Sequence, residues 1–474
     1  NLHYDLIFIM TFTGNNPYSA YPRKERIKFT IQVKDDVTGT YVPKTAYLDM
    51  IQVRRIENPK GVWRSAGNSD NFHVTLMRLP YDDAEDFKPF NSEGAWSATI
   101  VEGGDDFITL RSTVEGSGSD NAQQTGVKSI EGAGEHPIDF WIDFKGTIAE
   151  NSTPRCAIVR VRYHNYTCEH DIYVRQGYAP ITIDGNAESD KNPAWASYNV
   201  YRFDANNAPV YTKSPLEEGS LFRRGNRTAI LASNNDRPGF TFGLGPSGSF
   251  DVLELGATTP SQKTWSQLAP SADDVKSRFA SWSIAGDHER IATIEDFYTL
   301  ESTSIHSNIG KAYGVLYGDG ATETQKSVEV ALGYDHNEDP TNSKKGMRGC
   351  FVFNINNSHN IFFPIGKSGY GRRKGMTSNG EKVGALRYAQ RTDYYNNDGT
   401  GNIQYVPLFY DLFERPGAIY QCRNRLSSTG SDVKKSSAFD INYFTMGFEG
   451  FENGASNNSD GSDSDACFIR TVKY

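Results

Sequence analysis

Two imidazoles and a thiol lie close together at His164, Cys168 and His170, in the stretch HNYTCEH. These side chains ligate zinc and related metals, so the stretch is the first place to look for chemistry. Residues 156–163 and 169–175 on either side alternate as strands do, which makes the stretch the turn of a hairpin centred near Asn165 and Tyr166. Tyr163 then lies roughly opposite Cys168. Cys168 and His170 share one strand face, as a ligand pair would need. His164 falls in the turn and no fourth ligand is near in the sequence, whereas a tetrahedral zinc site wants four. No metal is expected here. Cys156 falls at the far end of the partner strand, near Arg175, too far to bridge Cys168.

Other stretches resemble motifs only in part. Residues 243–248, GLGPSG, spell GxGxxG, but a dinucleotide site needs a strand before and a helix after. Residues 249–255 read as a strand, and Pro246 suits a turn. Gly366, Lys367 and Ser368 lack the earlier glycine of a phosphate loop, since Ile361 stands there. HExxH, CxxC and GxSxG do not occur, and the nine histidines are dispersed, so no catalytic residue is assigned. Two oxygen-rich loops remain, residues 396–402 and 460–465. Calcium takes six to eight oxygens from such loops, but neither has the twelve-residue EF-hand spacing, so no cofactor is expected. Tyr394 and Tyr395 precede the first loop, and a sugar's apolar face can stack on an exposed ring. Tyr394, Tyr395, Asn396, Asn397, Asp398 and Asn402 are therefore the candidate ligand-binding residues.

The elements that must position such groups are mainly strands. Among 474 residues, aromatics reach 12% and glycines number 44, a mix that favours strands and loops over helices. The net charge is −9 with Lys and Arg scattered, so no basic stripe for nucleic acid exists. The longest apolar run, residues 6–10, is far below the ~18–20 residues of a membrane-spanning helix. Five cysteines, Cys156, Cys168, Cys350, Cys422 and Cys467, are too few for a disulfide scaffold, and the odd number leaves a thiol over within one chain.

Length alone predicts several domains. Residues 26–33, 46–53 and 72–77 alternate polar and apolar side chains, so residues 1–93 are expected to form a β-sandwich. A second β-unit follows over residues 94–180. Its strands begin at Trp96 and Phe107, then Ile138, Phe140, Ile142 and Phe144 mark one face of a third, and the 164–170 hairpin closes it. Residues 181–474 are richer in Gly, Asn, Ser and aromatics. Helices are expected at residues 273–281 and 293–300, the latter opened by a capping box of Thr293 and Asp296.

The middle unit resembles the BACON-type domains of Bacteroidetes surface proteins. The likeness rests on Gly94-Ala-Trp96, Phe107-Ile-Thr-Leu110, Arg155 before a Val/Ile strand and, most specifically, Ile172-Tyr-Val-Arg-Gln-Gly177. It implies an immunoglobulin-like sandwich that acts as a spacer. The third unit resembles the major paralogous domain first named in Fibrobacter. Arg290-Ile-Ala-Thr-Ile-Glu-Asp-Phe297 is similar to its Arg-Leu-Pro-Thr-x-x-Glu-Trp helix start. Gly349-Cys-Phe-Val-Phe353, Ile361-Phe-Phe-Pro-Ile-Gly366, Gly369-Tyr-Gly-Arg372, Gly384-Ala-Leu-Arg-Tyr388, Ala418-Ile-Tyr-Gln421, Phe439-Asp-Ile-Asn-Tyr-Phe444 and Ala466-Cys-Phe-Ile-Arg-Thr-Val472 follow in order. Ala292 replaces the family's Pro, Phe297 its Trp, and the Tyr-Trp-Ser-Ser segment is absent. This resemblance implies a loop-rich α+β, C-type-lectin-like unit whose termini pair. The fold class expected is thus mostly β and multidomain: two β-sandwiches, the second immunoglobulin-like, followed by a lectin-like unit.

That order of units resembles a Bacteroidetes fimbrial tip pilin or related surface adhesin, which implies a non-enzymatic cell-surface protein. The resemblance further implies a lipoprotein-type precursor, a place at the outer-membrane surface, and a host or bacterial glycan or protein as ligand. A neighbouring pilin subunit would join by strand exchange, with residues 22–26 as a protease-sensitive loop. The competing expectation is a surface glycan-binding lipoprotein of a polysaccharide uptake system. Formylglycine-generating relatives of the lectin-like fold use a paired-cysteine metal site, but Cys350, Cys422 and Cys467 show no close pair in sequence.

Overall fold

The computed structural model describes residues 23–52, 56–78, 88–104, 106–113, 124–217, 219–223, 227, 229–231, 251–254, 261–264, 288–301, 308–325, 346–364, 388–391, 404–407, 417–422, 437–442, 447–453 and 466–474. Over these residues the chain is mostly β, built of several sheets with one short helix. The expected helix at 273–281 lies outside them. The one at 293–300 is present as Ile294–Tyr298, with both halves of the Thr293–Asp296 capping box formed.

The largest sheet has eight strands, in the order Ser129–Gly132, Trp96–Gly103, Arg155–Tyr163, Cys168–Gln176, Gly61–Arg64, Ile309–Tyr317, Gly346–Asn354 and Asn360–Pro364. Gly61–Arg64 is its hinge. It runs parallel to Cys168–Gln176 on one side and to Ile309–Tyr317 on the other. All four of its residues are buried, the pattern of a strand covered on both faces rather than one. Gly61 must be glycine for space, because a Cβ there would meet the Phe351 ring at 2.4 Å.

Against one face of this sheet lies a three-stranded sheet of Phe72–Thr75, Asp139–Phe144 and Ile108–Ser112. Ile138, Phe140, Ile142 and Phe144 point inward, as their period-2 spacing predicts, and meet Trp96, Ala98, Val159, Val161, Ile172 and Val174. This sandwich core also takes in Phe72, Val74 and Phe90 from before residue 94, and Val315 and Tyr317 from beyond residue 180. One sheet and one core therefore run across the boundaries at 93 and 180. Trp63, Tyr173, Leu316, Phe351 and Phe362 form a second core that includes the opposite face of the large sheet.

Two further arrangements matter for function. Ala194–Phe203 pairs with the terminal strand Arg470–Lys473, whose other neighbour is Glu289–Ile291. At the N-terminal side, Arg23–Lys34 and Tyr41–Gln52 form a hairpin, a two-stranded sheet among the described residues. Arg23 to Arg26 are paired strand residues there, not a loop. The register Ile27↔Leu48, Phe29↔Ala46, Ile31↔Lys44 and Val33↔Val42 gathers apolar side chains on one face. Ile31, Val33 and Leu48 on that face are each more than two-fifths exposed.

Candidate functional site

The HNYTCEH stretch is the hairpin turn expected, with Tyr163 paired to Cys168 and Cys156 to Arg175. His164, Asn165 and Tyr166 all adopt left-handed backbone conformations, which reverses the chain sharply. The polar groups of His164 and Asn165 are used in holding the preceding segment. His164 Nδ1 accepts from the Glu93 backbone N–H at 2.8 Å, and Asn165 Oδ1 accepts from Ala95 N–H at 3.1 Å. His170 points into the protein, where its Nε2 lies 2.7 Å from the Pro59 carbonyl, so that nitrogen carries the proton and donates. Burial holds His170 well below its ordinary pKa and keeps it neutral. Cys168 packs against the sandwich core. Among the described residues no group of three or more His, Cys, Asp or Glu is arranged to hold a metal ion. Cys156, Cys168 and Cys350 are free thiols. Burial pushes Cys350 up to about 12 and raises Cys156, so neither is a thiolate near neutral pH.

The hairpin leads from this turn to Arg175, Gln176 and Gly177, and these three residues form a joint. Arg175 is fully buried. Its guanidinium donates to the carbonyls of Gly177 at 2.9 Å, Asn360 at 2.8 Å and Ala179 at 2.6 Å, and to Ser197 Oγ at 2.8 Å, while lying 4.6 Å over the Trp63 ring. Gln176 donates to the carbonyls of Asn68 and Gly146, both at 2.8 Å. Gly177 has φ +98°, where a side chain would be strained, and its N–H donates to the Arg64 carbonyl. The Arg-Gln-Gly sequence thus ties residues 63–68, 146, 179, 197 and 360 to one strand end.

Beside the joint is a cavity of about 270 Å³. Ser65 and Ala66, Glu150 and Asn151, Tyr178 to Pro180, Ala196 to Tyr198, Tyr211, Glu289 and Lys473 line it, so seven separate segments of the chain contribute. The sheet register puts Glu289 directly opposite Lys473 on the terminal strand. Glu289 is half-buried, and its Oε1 accepts from the hydroxyls of Tyr211 and, at 3.0 Å, Thr471. Its hydrogen-bond partners are hydroxyls, not cations. Burial raises the Glu289 carboxyl above its ordinary value, against the opposing pull of Thr471 and Lys473. Glu150 and Lys473 are both exposed. Tyr178 stands edge-on to Tyr198, ring centroids 5.6 Å apart. The Tyr178 hydroxyl is buried with no hydrogen-bond partner among the described residues, and burial raises its pKa well above the ordinary phenol value. An unpartnered buried hydroxyl costs stability unless something supplies a partner.

This cavity was not visible in the sequence, because no short spacing links Tyr178, Tyr211, Glu289 and Lys473. The sequence candidates Tyr394, Tyr395, Asn396, Asn397, Asp398 and Asn402 lie outside the described residues, as do residues 243–248, 366–368 and 460–465. The strand expected after residues 243–248 is present as Asp251–Glu254. No protein-family model matches the chain, and no curated protein matches it.

Proposed function

We propose that the chain is a cell-surface adhesin that presents a lectin-like unit on a β-sandwich scaffold, in the manner of a fimbrial tip subunit. The observation that carries this reading is the pairing of Arg470–Lys473 with Ala194–Phe203 and Glu289–Ile291. The unit that begins after residue 180 is thereby closed at its base by its own last strand. A closed base lets the stretches of chain outside the paired strands vary in length and sequence without unravelling the scaffold, which suits recognition. Arg470 reinforces the closure. It is fully buried and donates to Asn199 Oδ1, the Ala196 carbonyl and the Phe362 carbonyl. The joint at Arg175 then fixes that base to the sandwich, so a ligand bound to the unit would be held on a rigid support.

The hairpin of Arg23–Lys34 and Tyr41–Gln52 supports the second half of the proposal, a neighbouring subunit joined by strand exchange. Two strands alone are marginally stable in water, and this pair has exposed apolar side chains. A strand or sheet from another subunit would cover them and complete the pairing.

The test uses the purified chain against a glycan array, immobilised matrix proteins and pilin pull-downs. Binding to at least one supports the reading, and a blank result in all three overturns it. A variant carrying Tyr395→Ala, Asn397→Ala and Asp398→Ala is expected to lose that binding while folding normally. Unchanged binding by this variant removes those residues from the site.

A further inference from the structure

The hairpin of Arg23–Lys34 and Tyr41–Gln52 has a second face, opposite the one that gathers Ile27, Phe29, Ile31 and Val33. Side chains alternate along a strand and paired residues share a face. The register therefore places Lys28 with Tyr47, Thr30 with Thr45, Gln32 with Pro43, and Lys34 with Tyr41 on this second face. All of these are exposed, Tyr41 by 67% and Tyr47 by 62%, so the two rings contribute little to any core. A lysine beside a tyrosine thus stands at each end. Lys28 and Lys34 are six positions apart, about 20 Å on an extended strand. Between them lie the hydroxyls of Thr30 and Thr45 and the amide of Gln32, without a charge. Asp49 stands opposite Arg26 in the register, so Arg26, which lies 5.9 Å over the Tyr47 ring, is not counted as a cation for a ligand. Asp35 is tied into the turn by the N–H and hydroxyl of Thr38, and Asp36 is exposed there. The net charge of −9 opposes an anion, but exposed charges more than about 8 Å away are largely screened at physiological salt, so the local pattern decides.

A ligand that meets both ends must be long, carry negative charge at intervals, and offer apolar faces to the rings and hydroxyls to the strip between. We propose that this face binds an acidic polysaccharide lying along the strands. Its carboxylates or sulfates meet Lys28 and Lys34, its sugar rings lie on Tyr41 and Tyr47, and its hydroxyls bond Thr30, Gln32 and Thr45. A single-stranded nucleic acid stacks successive bases on neighbouring rings, and these two tyrosines are too far apart for that. The face is open to solvent, so each contact is weak and affinity comes from making several along one chain. It points away from the apolar face assigned to a neighbouring subunit, and its test stands whether or not the chain polymerises.

The experiment is calorimetric titration of the full chain with polygalacturonate, dextran sulfate, neutral dextran and oligo-dT, at low and high salt. Polygalacturonate or dextran sulfate is expected to bind saturably at low salt, and which of the two binds more tightly identifies the acidic group. High salt should weaken that binding at least about tenfold, and neutral dextran should bind more weakly by a similar factor. Lys28→Gln with Lys34→Gln should weaken it at least about fivefold and flatten the salt dependence. Tyr41→Ser with Tyr47→Ser should weaken it several fold and leave the salt dependence in place. Lys44→Gln removes an exposed cation from the opposite face, where Lys44 pairs with Ile31, and should change binding by less than about twofold. All five positions are exposed, so the variants are expected to fold, which near-ultraviolet circular dichroism checks. A loss from Lys44→Gln as large as that from the Lys28 and Lys34 pair would reveal general ion exchange and overturn the proposal. So would oligo-dT bound as tightly as the acidic polysaccharides, unaltered binding by either double variant, or no saturable binding of any probe.

Discussion

Arg64, Arg175 and Arg470 are fully buried, and each is held by carbonyl, amide or hydroxyl oxygens instead of by a carboxylate. Arginine suits this use because its planar fork reaches several fixed acceptors at once and stays charged when buried. Arg64 spans from its strand to the carbonyls of Asp70, Gly318 and Ala321, and lies over the rings of Phe72 and Phe144. At the Arg175 site a lysine would reach fewer of the four acceptors and leave the rest orphaned. Arg175→Lys is expected to cost about 2–4 kcal/mol in urea unfolding with an unchanged m-value. A change within about 0.5 kcal/mol would show the guanidinium fork to be dispensable. The buried histidines give a second prediction at this scale. His170 and His359 both have native pKa values below the ordinary 6.5, chiefly from burial. Below pH 6.5 the unfolded chain therefore takes up protons that the native chain refuses, and stability falls as pH falls through that window. His170 alone should remove about 1 kcal/mol between pH 6.5 and 5.5. Urea midpoints at pH 7.5, 6.5 and 5.5 measure it, and His170→Gln, which keeps a donor for Pro59 but does not titrate, should flatten the curve.

Among the elements, the short helix Ile294–Tyr298 has the most work done by its first residues. Thr293 accepts the Asp296 N–H, and Asp296 both caps the Thr293 N–H at 2.8 Å and pairs with Arg290 at 2.7 Å. Five residues cannot hold a helix by propensity, so capping and the packing of Phe297 on Trp195 and Phe363 must do so. Thr293→Ala should cost about 1 kcal/mol, read as a lowered thermal midpoint. This cap was legible in the sequence because its two residues are three apart. The strands at 139–144, 155–163 and 168–176 were legible for the same reason, since their alternation is local. The place of Gly61–Arg64 was not. A strand buried on both faces shows no alternation, and its partners both lie downstream, one over a hundred residues away and the other about two hundred and fifty. The cavity was illegible in the same way. Glu289 meets Tyr211 and Lys473 only because the terminal strand returns between two earlier ones, and the sequence announces neither the return nor its register.

At the scale of the whole molecule, the shared sheet sets what can fold alone. The sandwich takes its central strand from residues 61–64 and part of its core from Phe72, Val74, Val315 and Tyr317. A fragment of residues 94–180 would lack all of these. It would expose the edge of Cys168–Gln176 along Tyr173 to Gln176, where Gly61–Arg64 now pairs, and take from Arg175 the acceptors on Asn360 and Ser197 and from Gln176 the carbonyl of Asn68. Each side of that loss is unfavourable: a bare strand edge invites aggregation, and a buried guanidinium short of acceptors is costly. The fragment is therefore expected to be protease-sensitive and to unfold without a cooperative transition. In the full chain, by contrast, the sandwich and the strands at 309–317 and 346–354 should unfold together, because Gly61–Arg64 cannot leave one without leaving the other. Near-ultraviolet circular dichroism and limited proteolysis over a urea series measure both. A fragment 94–180 with a sharp transition at the full chain's midpoint would show that Gly61–Arg64 merely covers an already stable unit, and that the joint at Arg175 orients the parts without holding them up.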